Sequence, residues 1–278
     1  MNRSTPSVVA VLIALAFAVF SPAPSANAED SAPRVATVTP ITHSLSTALL
    51  RETGIETDFL PPKRLPINRI ASWLRKSRSL TFEPYDALVS ISDAAPAFAF
   101  STTLRQSNIR LVTIDIAYAR LPEGERVVLA DPEEFFWLNT NNLLLMLGVL
   151  KRDFARMWPE HVQRINENYQ RVSTSVRGFN LEVENRLFEH DVAVLVFEKA
   201  ALKPFAGSLS MDVMTREEAH LMEMPALRIG STRAPKQPSS APEVIDLYWP
   251  IDDLSRYRDE PIEERLGANL RSLEDVLR

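Results

Sequence analysis

The chain's four histidines, His43, His161, His190 and His220, are its only imidazoles, the side chains that could ligate a metal or move a proton near neutral pH. His43 follows an expected strand, where it could look into a cleft at the strand's end or simply face solvent or cap a helix. His161 lies in the first turn of an expected long helix, beside Glu160. His190-Asp191 precedes a strand and reads as a turn. His220 stands amid Glu217, Glu218 and Glu223, a group that could catch a metal weakly or form a solvated helical face. Asp131, Glu133, Glu134 and Glu198 could supply the hard oxygens that suit calcium, magnesium or manganese, and Asp252-Asp253 could join them. Glu133-Glu134 read equally well as acids at a helix start, where the dipole favours them. Asp252-Asp253 before Leu254-Ser255 is also an ordinary helix start. Lys63, Arg64 and Arg69 could meet an anionic ligand or an acidic protein surface, or serve solubility.

Other chemistry is excluded by composition. There is no cysteine, hence no disulfide, thiolate metal site, iron–sulfur ligation, cysteine nucleophile or lipid anchor on an N-terminal cysteine. Seven glycines stand where average usage gives about 19. No G-x-G occurs, so the dinucleotide fingerprint and the P-loop are absent. No G-x-S-x-G elbow and no H-E-x-x-H occur either, and an enzyme is not expected. At 45% hydrophobic and 24% charged the chain is that of a folded globular protein, and a net charge of -5 offers no field for nucleic acid.

Residues 1–28 carry the three parts of a secretory signal. Arg3 is the positive region, Val8–Phe20 is a 13-residue apolar run, and Ala26-Asn27-Ala28 offers small residues for cleavage. Thirteen residues fall short of the roughly 20 that span a bilayer. Cleavage after Ala28 removes one Arg and no acid. The mature chain is expected to be soluble, periplasmic, monomeric and without a lipid anchor.

The remaining pattern supplies elements to position these groups. Short β-branched runs at 34–39, 55–60, 86–91 and 110–115 alternate with helical patterns at 44–53, 68–77 and 93–106, which is the signature of a parallel α/β sheet. Residues 139–157 and 159–187 contain no strand pattern. From Val162, apolar residues at Ile165, Tyr169, Val172, Val176, Phe179, Val183 and Leu187 keep helical spacing, with Gly178 as a weak point or kink. Strand patterns resume at 191–197, 226–229 and 244–248, and a helix over 261–278, capped by Asp259, closes the chain. Thr232 to Pro242 is a polar, proline-rich loop. The expected organisation is a leader (1–28), an α/β lobe (29–158), a connecting helix (159–187) and a second α/β lobe (188–278). Two Rossmann-like lobes joined by one long backbone helix leave a cleft between strand carboxyl ends.

In order along the chain, Val35-Ala-Thr-Val-Thr-Pro-Ile, Phe59-Leu-Pro-Pro, Tyr85-Asp-Ala-Leu-Val, Asp131-Pro132 with Trp137-Leu138 and Asn141-Asn142, Phe197–Phe205 and Arg265–Leu277 are similar to segments of one family. The chain resembles the periplasmic solute-binding proteins of zinc and manganese ABC transporters, the helix-backboned class. That family holds its metal with three histidines and an acid, one from each of four loops. The positions here that match those ligands are Ile67, Phe135, Glu198 and Trp249. Three of the four cannot coordinate a divalent ion, and the family's His-rich loop is missing. The resemblance thus implies an exported binding protein with a degenerate metal site, no retained zinc or manganese, and an ABC transporter permease or another exported or membrane protein as partner. An accessory or assembly protein that kept the fold and binds a protein is the alternative. The four matched side chains are expected to face one another between the lobes.

Overall fold

The computed structural model describes residues 32–278 apart from 119, 122–123, 130–134 and 232–245. The leader, the acids Asp131, Glu133 and Glu134, and the polar loop after Ser231 lie outside the described residues.

The first lobe runs β1 (Arg34–Thr37), α1 (Pro40–Leu49), β2 (Glu56–Phe59), α2 (Ile67–Lys76), β3 (Ala87–Ser90), α3 (Ser101–Leu104) and β4 (Val112–Asp115). Its strands form one parallel sheet in the order β2-β1-β3-β4, with Val35 opposite both Thr57 and Ala87. The order reverses at β1, so the crevice beyond the carboxyl ends of this sheet lies there. α1 begins at Pro40, earlier than the apolar spacing predicts. Thr39 and Thr42 form a reciprocal capping box, and Pro40 suits the first turn because its missing N–H would be an orphan anyway. The helix expected over 93–106 is replaced by a 3-10 turn at Pro96–Phe98 and the four-residue α3. Pro96 lacks a donor and disfavours helical geometry in Ala95, whose φ of -133° is extended.

Between the lobes run α4 (Thr140–Met157) and α5 (Val162–Glu189), separated by one 3-10 turn at Pro159–His161. α5 is 28 residues long and passes Gly178 unbroken. Its buried stripe of Ile165, Val172, Val176, Phe179, Val183 and Leu187 follows the predicted spacing, with Tyr169 only half-buried. Asn168 is the buried polar member. Its amide donates to the carbonyls of Leu49 (3.0 Å) and Arg51 (2.8 Å), so the long helix satisfies the orphan acceptors at the end of α1.

The second lobe runs β5 (Val194–Phe197), a 3-10 segment at Ala200–Ser208, β6 (Asp212–Val213), α6 (Arg216–Leu221), β7 (Ala226–Ser231), β8 (Asp246–Ile251) and α7 (Ile262–Leu277). Its parallel sheet has the order β6-β5-β7-β8, the same sequence of positions as the first sheet. A topological repeat thus exists where no residue-level repeat is legible. β1 and β5 are inner strands of different sheets. β6 and α6 were not legible: two exposed strand residues leave no pattern, and α6 is only six residues, held by a capping box of Thr215 and Glu218.

One hydrophobic core passes through both lobes. Val35, Val89 and Ile114 of the first sheet, Leu195, Leu227 and Ile229 of the second, and the inner faces of α1, α4, α5 and α7 belong to a single cluster. Smaller clusters fill the outer faces under α2 and α6. A shared core means that the lobes pack against each other around the long helix.

Candidate functional site: the seam between the lobes

At the carboxyl edge of the first sheet, α1 brings His43 into the seam. The ring lies 5.7 Å from Phe59 at the end of β2 and 5.0 Å from Tyr257 of the second lobe. Nδ1 is 3.2 Å from the Thr37 hydroxyl, which also donates to the carbonyl of Asp58. Burial, aided by the nearby Lys63 charge, pushes the imidazole down to about 4 against the pull of Asp259 and Asp58, so it is neutral at pH 7. His43 therefore does face the seam, but as a caged neutral ring rather than a solvated one.

Opposite it, the chain leaves β8 at Ile251 and runs through residues 252–260 before α7. Tyr257 stacks on Phe59 at 4.9 Å. Asp259 pairs with Lys63 at 3.3 Å, and the Lys63 ammonium sits over the Tyr257 ring. Asp259 was expected to cap α7; its carboxylate goes to Lys63 and Tyr257 instead, and Pro261 begins the helix without a side-chain cap. Asp252 is the centre of the ionic part. Its carboxylate accepts Nε and Nη2 of Arg265, each at 2.8 Å, and lies 3.3 Å from Arg258. Burial pushes this carboxyl up, but the Arg265 hydrogen bonds and charge outweigh it and hold it below the ordinary carboxylate range. The Arg265 side chain is 1% exposed and also donates to Ser44 of α1, 3.2 Å away in the other lobe. Trp137, just before α4, donates its indole N–H to the Asp253 carbonyl at 3.1 Å.

The matched positions are placed as follows. Ile67 opens α2 and packs against the shared core and the cluster under that helix. Phe135 stacks on Trp137 at 4.9 Å, and its N–H donates to the Ala201 carbonyl of the second lobe. Glu198 directly follows β5 and pairs with Arg228 at 3.0 Å. Trp249 is fully buried in β8, with its indole N–H donating to the Asn269 carbonyl of α7 and its ring edge-on to Phe205. These contacts do not gather the four into one site. Arg228 pairs in register with Val196, on the face covered by α6, whereas Trp249 pairs with Ile229 on the face covered by α5 and α7. Glu198 and Trp249 thus engage opposite faces of the second sheet. β8 continues through Trp249 and Pro250 to Ile251, so the first residue beyond the last strand is Asp252.

The other candidates stay apart. His161 is 3.8 Å from its neighbour Glu160, His190 ends α5, and His220 lies in the last turn of α6. Among the described residues, no group of three or more His, Asp or Glu side chains is placed to hold a metal ion. A cavity of about 560 Å³ beside Glu198 is lined by Lys203, Met214, Arg216, Glu218 and Arg228, and one of about 130 Å³ lies between α1, Arg171 and residues 258–263. The residues that sequence reasoning missed are Tyr257, Arg265 and Asn269. Arg265 and Asp252 stand on a helix and a strand end, and only packing brings them together. Tyr257 did leave a trace, as a lone aromatic within the charged run Arg256–Glu260.

No protein-family model matches the sequence, and no curated protein sequence matches it. Solved structures do match. The metal-dependent lipoprotein YcdH from Bacillus subtilis superposes with a TM-score of 0.61 at 10% identity, over 88% of this chain and 100% of that one. The laminin-binding protein Lbp of Streptococcus pyogenes gives 0.58 at 11%, over 89% and 100%. The solute-binding protein FpvC from Pseudomonas aeruginosa, solved in complex with Mn2+, gives 0.56 at 12%, over 88% and 98%. At such identities the likeness speaks for architecture. The chain has the fold of the zinc and manganese solute-binding proteins: two parallel α/β lobes around a long helix.

Proposed function

We propose that this chain is an exported binding protein whose seam does not take a transition-metal ion, and that it works by docking on a protein partner, an ABC transporter permease or another exported or membrane protein. The observation that carries the reading is that the ligand-bearing groups at the seam are already engaged with one another. The Asp252 carboxylate is held by Arg265 and flanked by Arg258. A cation arriving there would have to displace a guanidinium that makes two charge-assisted hydrogen bonds. His43 is the one imidazole nearby, and it packs beside the stacked rings of Phe59 and Tyr257. A lone nitrogen is a poor start for a zinc site, which needs four donors at about 2.0–2.3 Å. The laminin-binding structures among the neighbours support the idea that this fold serves protein recognition as well as metal capture.

The test is calorimetric. Zinc or manganese titrated into the purified mature chain is expected to give no stoichiometric binding tighter than about 1 μM, roughly -8 kcal/mol. Tight one-to-one binding that Asp252→Asn or His43→Phe abolishes would return the chain to the metal-carrying members of its fold.

A further inference from the structure

The segment 252–260 belongs to the second lobe by sequence, but its outer part reaches across to the first. Tyr257 stacks on Phe59, and Asp259 reaches Lys63. The Asp253 carbonyl accepts from Trp137. Behind these surface ties the buried guanidinium of Arg265 joins three parts of the molecule. It binds Asp252 at the root of the segment, the Arg256 carbonyl in its middle, and Ser44 on α1. The root is fixed further by Asn269, which accepts the Asp252 N–H at 2.7 Å and donates to its carbonyl at 3.1 Å. Leu254, within the segment, is 2% exposed and sits at φ +58°, a left-handed conformation unfavourable for a leucine and kept only where surrounding contacts over-determine it.

In a two-lobed binding protein, an arriving ligand bridges the lobes by contacts to both, and that differential contact sets the closed arrangement. Here the chain's own groups make such contacts: an aromatic ring, an ammonium–carboxylate pair and a shared guanidinium. We infer that residues 252–260 form a built-in strap that occupies the carboxyl edge of the first sheet and, through Arg265, holds the lobes in one arrangement without any ligand. Its interior end is a buried, bidentate ion pair, which is costly to break one partner at a time. At the outer end Lys63 and Asp259 are solvent-exposed and Tyr257 is half-buried, which marks where the strap would release first.

The absence of cysteine allows a direct test. Spin labels at Arg78→Cys in the first lobe and Glu217→Cys in the second, both exposed positions, report the lobe-to-lobe distance by pulsed electron resonance. The otherwise native chain is expected to show one narrow distance, unchanged by zinc or manganese. Lys63→Glu with Tyr257→Ala, both at the outer end, should add a second, longer distance while circular dichroism stays native. Arg265→Leu should do the same or unfold the chain, and the outer-end variant decides the matter if it unfolds. A folded outer-end variant that keeps the single narrow distance would overturn the strap, as would a broad distribution in the native chain. Tight metal binding with no change in distance would sink the proposed function and leave the strap standing.

Discussion

His43 shows how burial, aided by a nearby positive charge, can turn a titratable group into a pH sensor of stability. Its folded value, pushed down to about 4, lies below the ordinary 6.5 of an unfolded histidine. As pH falls from 6.5 towards 4, the unfolded chain takes up a proton that the native ring refuses, so stability is lost on acidification over that window. The full difference corresponds to about 3 kcal/mol. His43→Phe keeps a ring against Phe59 and Tyr257, and Thr37 keeps its bond to the Asp58 carbonyl. Urea unfolding at pH 7 and pH 4.5 should therefore differ by about 2 kcal/mol less in the variant than in the native chain. Equal pH sensitivity in both would mean that the ring is not buried neutral. Asp252 acts lower on the scale. Its folded carboxyl is held below its ordinary value, so its contribution is present above that value and fades as pH drops through the folded one.

At the scale of single elements, two glycines have opposite roles. Gly178 sits inside α5 with nothing within 4 Å of where a Cβ would stand. It costs helix propensity and contributes no packing, so Gly178→Ala should stabilise the chain by about 0.5–1 kcal/mol and raise Tm by about 1–4 °C. A lower Tm would show that the long helix needs its local looseness. Gly230 lies in β7, where a Cβ would overlap the hydroxyl of Tyr248 on the neighbouring strand. Gly230→Ala should destabilise by about 1–3 kcal/mol, because the ring must leave its place over Arg228. Chemical denaturation of both variants side by side checks the pair of signs.

For the whole molecule, the decisive feature is the core that runs from one sheet to the other. Two lobes joined by a linker helix would unfold separately, whereas lobes that share one cluster of buried side chains lose their packing together. Differential scanning calorimetry of the mature chain should show one transition with equal calorimetric and van't Hoff enthalpies. Two resolved transitions would mean that the shared core contributes little to stability. A single unit of this kind suits a protein that presents a constant surface to a partner, which links the packing to the proposed function.

Several features followed from the sequence alone because they depend on local chemistry. Strand–helix alternation with β-branched runs specified parallel α/β lobes, and the spacing from Ile165 to Leu187 specified the long helix down to its buried stripe. The ordered likeness of short segments pointed to the architecture of solved structures that share about a tenth of its residues, where no family model matches. The site was not legible in the same way. Ile67, Phe135, Glu198 and Trp249 are the positions the resemblance implies, but whether a side chain faces a cleft or a core depends on where a strand ends. β8 runs two residues past Trp249, which sends that ring under α7 and leaves Asp252 at the strand's edge. The pairing of Asp252 with Arg265, of Arg265 with Ser44 and of Tyr257 with Phe59 joins residues 13, 221 and 198 positions apart. Periodicity reports only which face of an element is buried. Which groups meet across the seam was decided by the packing of the two lobes, because tertiary contacts bring together residues that no local pattern relates.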